Sequence, residues 1–225
     1  MPIKIAPSMV DADLTDLRAA VTELEAGGAD RLHVDVADGH FVPNIMLGPY
    51  VAAAVARCAR VPVGAHLMVT DPVRYAPPFA EAGCDTIFFH AEAVPDLEAA
   101  VAAVRELGVA VGVALKVHTP AEAVESLVGR IDCLMAMTVE PGFSGQGFLE
   151  EGCHKIPALR RMFGPDLDIY VDGGIGPATA GVAVGYGANV LVAASAVFRA
   201  DVPPARALQR LREAALAPRA PQERS

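Results

Sequence analysis

The chain lacks the features that would mark it as a membrane, secreted or nucleic-acid-binding protein. It holds 225 residues with no Trp, 4 Cys, and 18 Lys and Arg against 27 Asp and Glu, a formal net charge of −9. This deficit of positive charge excludes the broad basic surface that nucleic acid or an anionic membrane requires, so neither is expected as a partner. Cys58, Cys84, Cys133 and Cys153 show no C-x-x-C spacing. They read as small buried hydrophobes rather than zinc ligands or disulfides. Mean hydropathy is +0.36, yet no unbroken apolar run of bilayer length accompanies it. The longest stretch without a formal charge, Gly173 to Phe198, carries six Gly, Pro177 and Asn189, which punctuate it into turn, helix and strand. The first residues, MPIKIAPSMVDADL, hold Asp11 and Asp13 where a secretory signal needs an unbroken apolar core, so a cytoplasmic location is expected.

What is present is a regular alternation. Short β-branched runs alternate with Ala- and Leu-rich helical patterns, without a linker, low-complexity segment or break in composition. Strands are predicted over Ile3–Pro7, Arg31–Val36, Pro62–Leu67, Thr86–His90, Ala110–Leu115, Cys133–Thr138, Asp168–Val171 and Asn189–Ala193. Helical segments are predicted over Asp13–Ala26, Gly48–Cys58, Pro72–Ala82, Leu97–Leu107, Ala121–Leu127, Leu149–Met162, Pro177–Val184 and Pro203–Ala215. Glycines follow or end several of them, as helix C-termini favour, and the phrases GGAD, AGCD and YGAN repeat one helix-to-strand turn. Eight β/α units in this length predict an α/β fold, a parallel (β/α)8 TIM barrel, with an open doubly wound sheet as the alternative. The barrel is assigned to residues 1–216 as a single domain, and APRAPQERS, residues 217–225, to a flexible C-terminal tail.

Active sites of such barrels lie at the C-terminal ends of the strands. On the second predicted strand His33 and Asp35 are two residues apart and face one side, while Leu32, Val34 and Val36 face the other. The third strand ends in Ala65-His66-Leu67-Met68 and the seventh in Tyr170-Val171-Asp172-Gly173-Gly174, which puts His66 and Asp172 at the rim. Two His and two Asp around one barrel mouth make a mixed nitrogen and oxygen donor set suited to a divalent Zn, Fe, Mn or Co ion, without selecting among them. Any one of the four alone would read as a hydrogen-bonded core residue. Of the other histidines, His40 falls in a loop, His90 is placed at the rim of the fourth strand, and His118 and His154 face solvent. Three small-residue segments follow the late strands: Pro141 to Gly147, Asp172 to Gly176, and Ala194-Ser195. Glycines let backbone amides approach an anion, and barrels often bind phosphate after strands seven and eight. None of these segments contains Lys or Arg, so neutral amides would hold the anion.

The phrases Ile5-Ala6-Pro7-Ser8, His33-Val34-Asp35-Val36, Asp38-Gly39-His40-Phe41-Val42-Pro43-Asn44, His66-Leu67-Met68, Met137-Thr138-Val139-Glu140-Pro141-Gly142-Phe143 and Val171-Asp172-Gly173-Gly174 follow one another in order. With them the chain resembles the ribulose-phosphate 3-epimerase family over nearly its whole length. The resemblance implies a metal-dependent (β/α)8 barrel that interconverts D-ribulose 5-phosphate and D-xylulose 5-phosphate by inverting C3. His33, Asp35, His66 and Asp172 would hold one divalent metal ion, with Asp35 and Asp172 as the catalytic acid–base pair. Ser8, His66, Met68, Met137, Gly142, Phe143, Ser144, Gly145, Asp172, Gly173, Gly174, Ala194 and Ser195 would contact the substrate. The family also implies a homo-oligomer, and its reaction serves both the pentose phosphate pathway and the Calvin cycle.

The chain departs from the family pattern at four places. Ala37 stands for a common Met, Ser144 for a Gly, Ala194 for the Gly of a Gly-Ser pair, and Val117-His118 for Pro-Gly or Pro-Ala. These bear on sugar preference and phosphate geometry rather than on the metal set. A 3-epimerase for D-allulose 6-phosphate and a non-catalytic sugar-phosphate-binding barrel are the competing readings. A related decarboxylase or hexulose-phosphate synthase resembles a D-x-K-x-x-D pattern, whose Lys is missing from Asp35-Val36-Ala37-Asp38.

Overall fold

The computed structural model describes residues 1–217, so the proposed tail lies, apart from Ala217, outside the described residues. Its elements are β1 (Lys4–Pro7), α1 (Leu17–Ala26), β2 (Leu32–Ala37), α2 (Pro49–Cys58), β3 (Val63–Met68), α3 (Pro72–Glu81), β4 (Thr86–His90), α4 (Leu97–Arg105), β5 (Ala110–Leu115), β6 (Cys133–Met137), α5 (Ile156–Phe163), β7 (Asp168–Asp172), α6 (Ala180–Tyr186), β8 (Val190–Ala193), α7 (Ser195–Phe198) and α8 (Pro204–Leu216). All strand pairs are parallel, in the order β1-β8-β7-β6-β5-β4-β3-β2. The seam between β1 and β2 is narrowed by a parallel bridge between Ser8 and His33 and by the Asp30 and Arg31 amides donating to Ile5 O. The result is the nearly closed (β/α)8 barrel expected from eight β/α units.

Alternation along each strand separates two cores. Outward residues such as Leu32, Val34, Val36, Val63, Ala65, Leu67, Ile87 and Phe89 join the apolar faces of the helices. Inward residues, Ala6, Phe88, Ala114, Cys133, Met135, Tyr170, Val190 and Val192 among them, fill the barrel. Phe88 and Tyr170 meet edge to face, with centroids 4.8 Å apart, and plug its middle. Gly112 makes room for that plug, because a Cβ there would stand 2.2 Å from Phe88 Cδ1. Cys84, Cys133 and Cys153 are buried and Cys58 is half-buried, as small apolar residues. Among the described residues no helix is long and apolar enough to cross a membrane.

The helical segments depart from the prediction in detail. Ala121–Leu127 is a 3-10 helix rather than an α-helix. Leu149–Met162 splits into a 3-10 segment, Glu150–Lys155, and α5, whose second residue is Pro157. Pro157 stands in the first turn of α5, where its missing N–H breaks no intrahelical hydrogen bond, which suits it to the start of the α-helical part. The segment expected from Pro177 begins at Ala180. The four-residue α7 directly after β8 was not expected from the sequence.

Candidate active site at the C-terminal mouth

Parallel register brings the polar residues together. Asp35 pairs with His66 across β2 and β3, and Met137 with Asp172 across β6 and β7. His33, Asp35, His66 and Asp172 each offer a donor atom, all within 4.8 Å of one another. His66 Nδ1 lies 3.0 Å from Asp35 Oδ1 and 3.3 Å from Asp172 Oδ2. His33 Nε2 lies 3.4 Å from Asp35 Oδ1 and 3.8 Å from Asp172 Oδ2. It is the one buried side-chain nitrogen or oxygen without a hydrogen-bond partner among the described residues. Ligands about 2.0–2.2 Å from a four-coordinate ion stand about 3.3–3.6 Å apart by tetrahedral geometry. The four separations bracket that range, and an orphaned imidazole nitrogen facing two carboxylates is the atom a cation would satisfy. The residues therefore fit a divalent metal ion.

Electrostatics agree with the geometry. Burial raises the pKa of Asp35, but the imidazoles of His33 and His66 outweigh it and hold the carboxyl well below the usual carboxylate range. Burial lowers the pKa of His66, yet its contacts with Asp172 and Asp35 prevail and push it up to about 9. The two carboxylates thus stabilise positive charge at this buried point. Ser8, just past β1, donates its hydroxyl to Asp35 Oδ2, leaving Oδ1 to the imidazoles.

Above this cluster a cleft is lined by Ser8, Asp35, Met68, Met137, Gly142, Phe143, Ser144, Gly145, Asp172, Gly173, Gly174, Ala194 and Ser195. All the expected substrate-contact residues except His66 line it. His66 has no exposed surface and sits behind the carboxylates. His90, expected at the rim, is also fully buried, with Nε2 2.9 Å from His66 Nε2. His40 lies in an exposed loop, and the side chain of His118 is 75% exposed.

The loop phrases have structural reasons. Asp38 Oδ1 accepts from the His40 and Phe41 amides and Oδ2 from the amide and hydroxyl of Thr70, which shapes the loop after β2. Asn44 Nδ2 from that loop donates to Gly142 O at 2.7 Å, tying it to the loop after β6. Gln146 Nε2 donates to the carbonyls of Glu140 and Phe143. Gly173 and Gly174 have φ of 116° and 63°, and a Cβ on either would meet Val139 or Phe148 within 2.6 Å. Ser144 and Ala194 need no glycine: among the described residues no non-glycine residue has positive φ.

The sequence reading missed Val10, Met46, Val139 and Val192 along the cleft, ordinary apolar residues whose role only folding reveals. It also missed a cation beside the glycine segments. Arg199, one residue past α7, pairs with Asp11 at 2.5 Å, and Asp11 accepts a 2.6 Å hydrogen bond from Ser144. The guanidinium charge near the glycine loop is thus already matched.

Comparison with known proteins places this arrangement. Solved structures resemble it in fold: KGPDC from Streptococcus mutans, with a TM-score of 0.73 at 16% identity over 95% of this chain and 97% of that one, and 3-hexulose-6-phosphate synthase from Salmonella typhimurium, with a TM-score of 0.71 at 18% identity over 95% and 99%. Sequence relatives are nearer. The ribulose-phosphate 3-epimerase of Bacillus subtilis is 44% identical over 200 residues, covering 87% of this chain and 92% of that protein. That of Methanocaldococcus jannaschii is 43% identical over 217 residues, covering 95% and 92%. The model of the ribulose-phosphate 3-epimerase family matches residues 4–198. With the strand-end His and Asp residues gathered at one mouth beneath glycine loops, the chain belongs to the ribulose-phosphate 3-epimerase family.

Proposed function

We propose that the chain interconverts D-ribulose 5-phosphate and D-xylulose 5-phosphate with one divalent cation held by His33, Asp35, His66 and Asp172. As a family member it is an isomerase, a carbohydrate 3-epimerase. The observation that carries the finer reading is the convergence of two carboxylates and two buried imidazoles, one of them orphaned, beneath the cleft.

C3 of a 2-ketose lies next to the carbonyl, so its proton can leave only if the charge that develops on the C2 and C3 oxygens is stabilised. A bound Zn, Fe, Mn or Co ion would supply that Lewis-acid stabilisation. Inversion needs a proton removed from one face and returned to the other. Asp35 on β2 and Asp172 on β7 reach the mouth from different strands and take these two roles, one starting ionised and the other protonated. The Ser8 hydroxyl holds Asp35 in place. Met68 and Met137 flank the sugar, and the amides of Gly142 to Gly145, Gly173-Gly174 and Ala194-Ser195 hold the phosphate without a dedicated cation. The assembly of identical chains implied by the family is part of this reading and is measured by light scattering.

The test is metal analysis of the purified protein joined to a chelator-sensitive assay of C3 proton exchange on both pentulose phosphates. Metal-dependent exchange is expected. Sugar-phosphate binding without metal or exchange would favour a non-catalytic binder, and faster turnover of D-allulose 6-phosphate would overturn the pentulose assignment.

A further inference from the structure

His90 and Glu92 do not line the cleft, yet they extend the donor cluster outward through a directional chain of hydrogen bonds. His66 presents Nδ1 to Asp35 and Asp172, and its Nε2 lies 2.9 Å from Nε2 of His90. Of two ring nitrogens facing each other, one must donate and the other accept. His90 Nδ1 lies 3.3 Å from Glu92 Oε2. The other oxygen of Glu92 accepts from the Lys116 amide at 2.9 Å and from the Thr119 hydroxyl.

An ionised carboxylate can only accept, so the proton positions follow in sequence. His90 carries a proton on Nδ1 and donates it to Glu92. Its Nε2 is then a lone pair, which accepts from the N–H on Nε2 of His66. A neutral His66 has its remaining lone pair on Nδ1, the atom aimed at the two carboxylates. Both rings are fully buried, with centroids 5.0 Å apart and planes 28° from parallel, and Phe41 covers His90 at 5.0 Å. Water has no access from which to reverse the pattern.

We propose that Glu92, acting through His90, is a positioning residue that fixes His66 in the Nε2–H form and so presents its Nδ1 lone pair to the divalent cation. This rests on the metal reading above. Outer hydrogen-bond partners of metal-bound histidines commonly set ligand tautomer and orientation, and their loss costs 10- to 100-fold in affinity.

Two variants separate this role from a structural one. Glu92→Gln keeps the side chain's shape but reverses its polarity. The Lys116 amide still needs an acceptor, so the new NH₂ group faces His90 Nδ1. His90 must then carry its proton on Nε2 and His66 on Nδ1, where the lone pair was. Glu92→Ala removes the bias and admits water, which can still accept from His90. Zn²⁺ affinity of the metal-free full-length chain, measured by chelator competition, is expected to fall about 10- to 100-fold in Glu92→Gln and by less in Glu92→Ala. Long-range ¹⁵N NMR of the Zn²⁺-loaded wild type is expected to show the His66 proton on Nε2. A larger loss for Ala than for Gln, which simple space-filling would produce, overturns the proposal, as does wild-type affinity in Glu92→Gln or a proton on His90 Nε2 in the wild type. A wild type that binds no divalent metal would overturn the metal reading itself, without recourse to the variants.

Discussion

The inner faces of β1, β2 and β7 each carry polar residues at both ends of the barrel, and the two ends treat charge in opposite ways. At the N-terminal floor, Asp168 accepts from Lys4 Nζ at 2.7 Å and from Asn189 Nδ2 at 2.7 Å, with Arg31 3.7 Å away. Arg160 and the Ile169 amide in turn donate to Asn189 Oδ1. Four residues along β7, on the same face, Asp172 has no Lys or Arg among its partners and looks onto His33 and His66. The Phe88–Tyr170 plug separates the two ends. The floor matches each charge with a fixed opposite one, which serves stability. The mouth leaves its carboxylates facing titratable imidazoles and an orphaned nitrogen, which leaves room for a cation and for proton transfer.

Exchanging one charge at each end gives the largest contrast. Asp172→Asn is expected to lower kcat by about 10²–10⁴-fold, the range of one general acid or base, while the protein stays folded. Asp168→Asn is expected to leave kcat unchanged and to lower unfolding stability by about 1–3 kcal/mol, because Lys4 and Arg31 lose their partner at a partly exposed site. Steady-state kinetics with urea melts checks both, and a kcat loss in Asp168→Asn comparable to that in Asp172→Asn would erase the distinction.

Titration without metal sharpens it. Burial drives the pKa of His90 down from 6.5 to about 4, so its contribution is present above pH 6.5 and is lost as pH falls toward 4. His66 is shifted the other way, from 6.5 to about 9, so its contribution is present below pH 6.5 and is lost as pH rises through 9. Stability of the metal-free protein is therefore expected to peak near pH 6.5 and to fall on each side by about 1–3 kcal/mol. The floor adds nothing to this profile in that window, since Asp168 is shifted below the ordinary carboxylate value. Urea melts at pH 4.5, 6.5 and 9 test the peak; a flat profile would show that the mouth imidazoles do not differ from ordinary ones.

The smallest effect is expected within the mouth, at its phosphate side. Ser144→Gly removes the hydrogen bond to Asp11 at about 0.5–1.5 kcal/mol and leaves the metal cluster intact. KM is expected to rise by no more than about tenfold with kcat retained. A loss of kcat instead would mean that the Asp11–Ser144 contact reaches the reacting atoms.

Much of this site was legible because strands obey a period of two. His33 and Asp35 had to share a face, and the strand-end positions of His66 and Asp172 pointed to the mouth of any eight-unit barrel. His90 was legible at the end of the fourth strand, but its full burial was not, because strand period sets the side a residue faces and not what covers it. Its contact with His66 joins two adjacent strands, and Glu92 lies on the turn beyond. Arg199 was missed for a similar reason: the distance from Asp11 to Arg199 along the chain conceals a 2.5 Å contact.

Composition, strand period and the ordered motifs by themselves determined the barrel class, the four donors and the small-residue loops, since each depends on local spacing or on short phrases. The tertiary structure alone decided the orphaned His33 nitrogen, the His66–His90–Glu92 chain of donors and acceptors and the Ser144–Asp11–Arg199 contact. Those depend on atoms from different strands meeting within hydrogen-bond distance, which closure of the barrel sets and no local spacing contains.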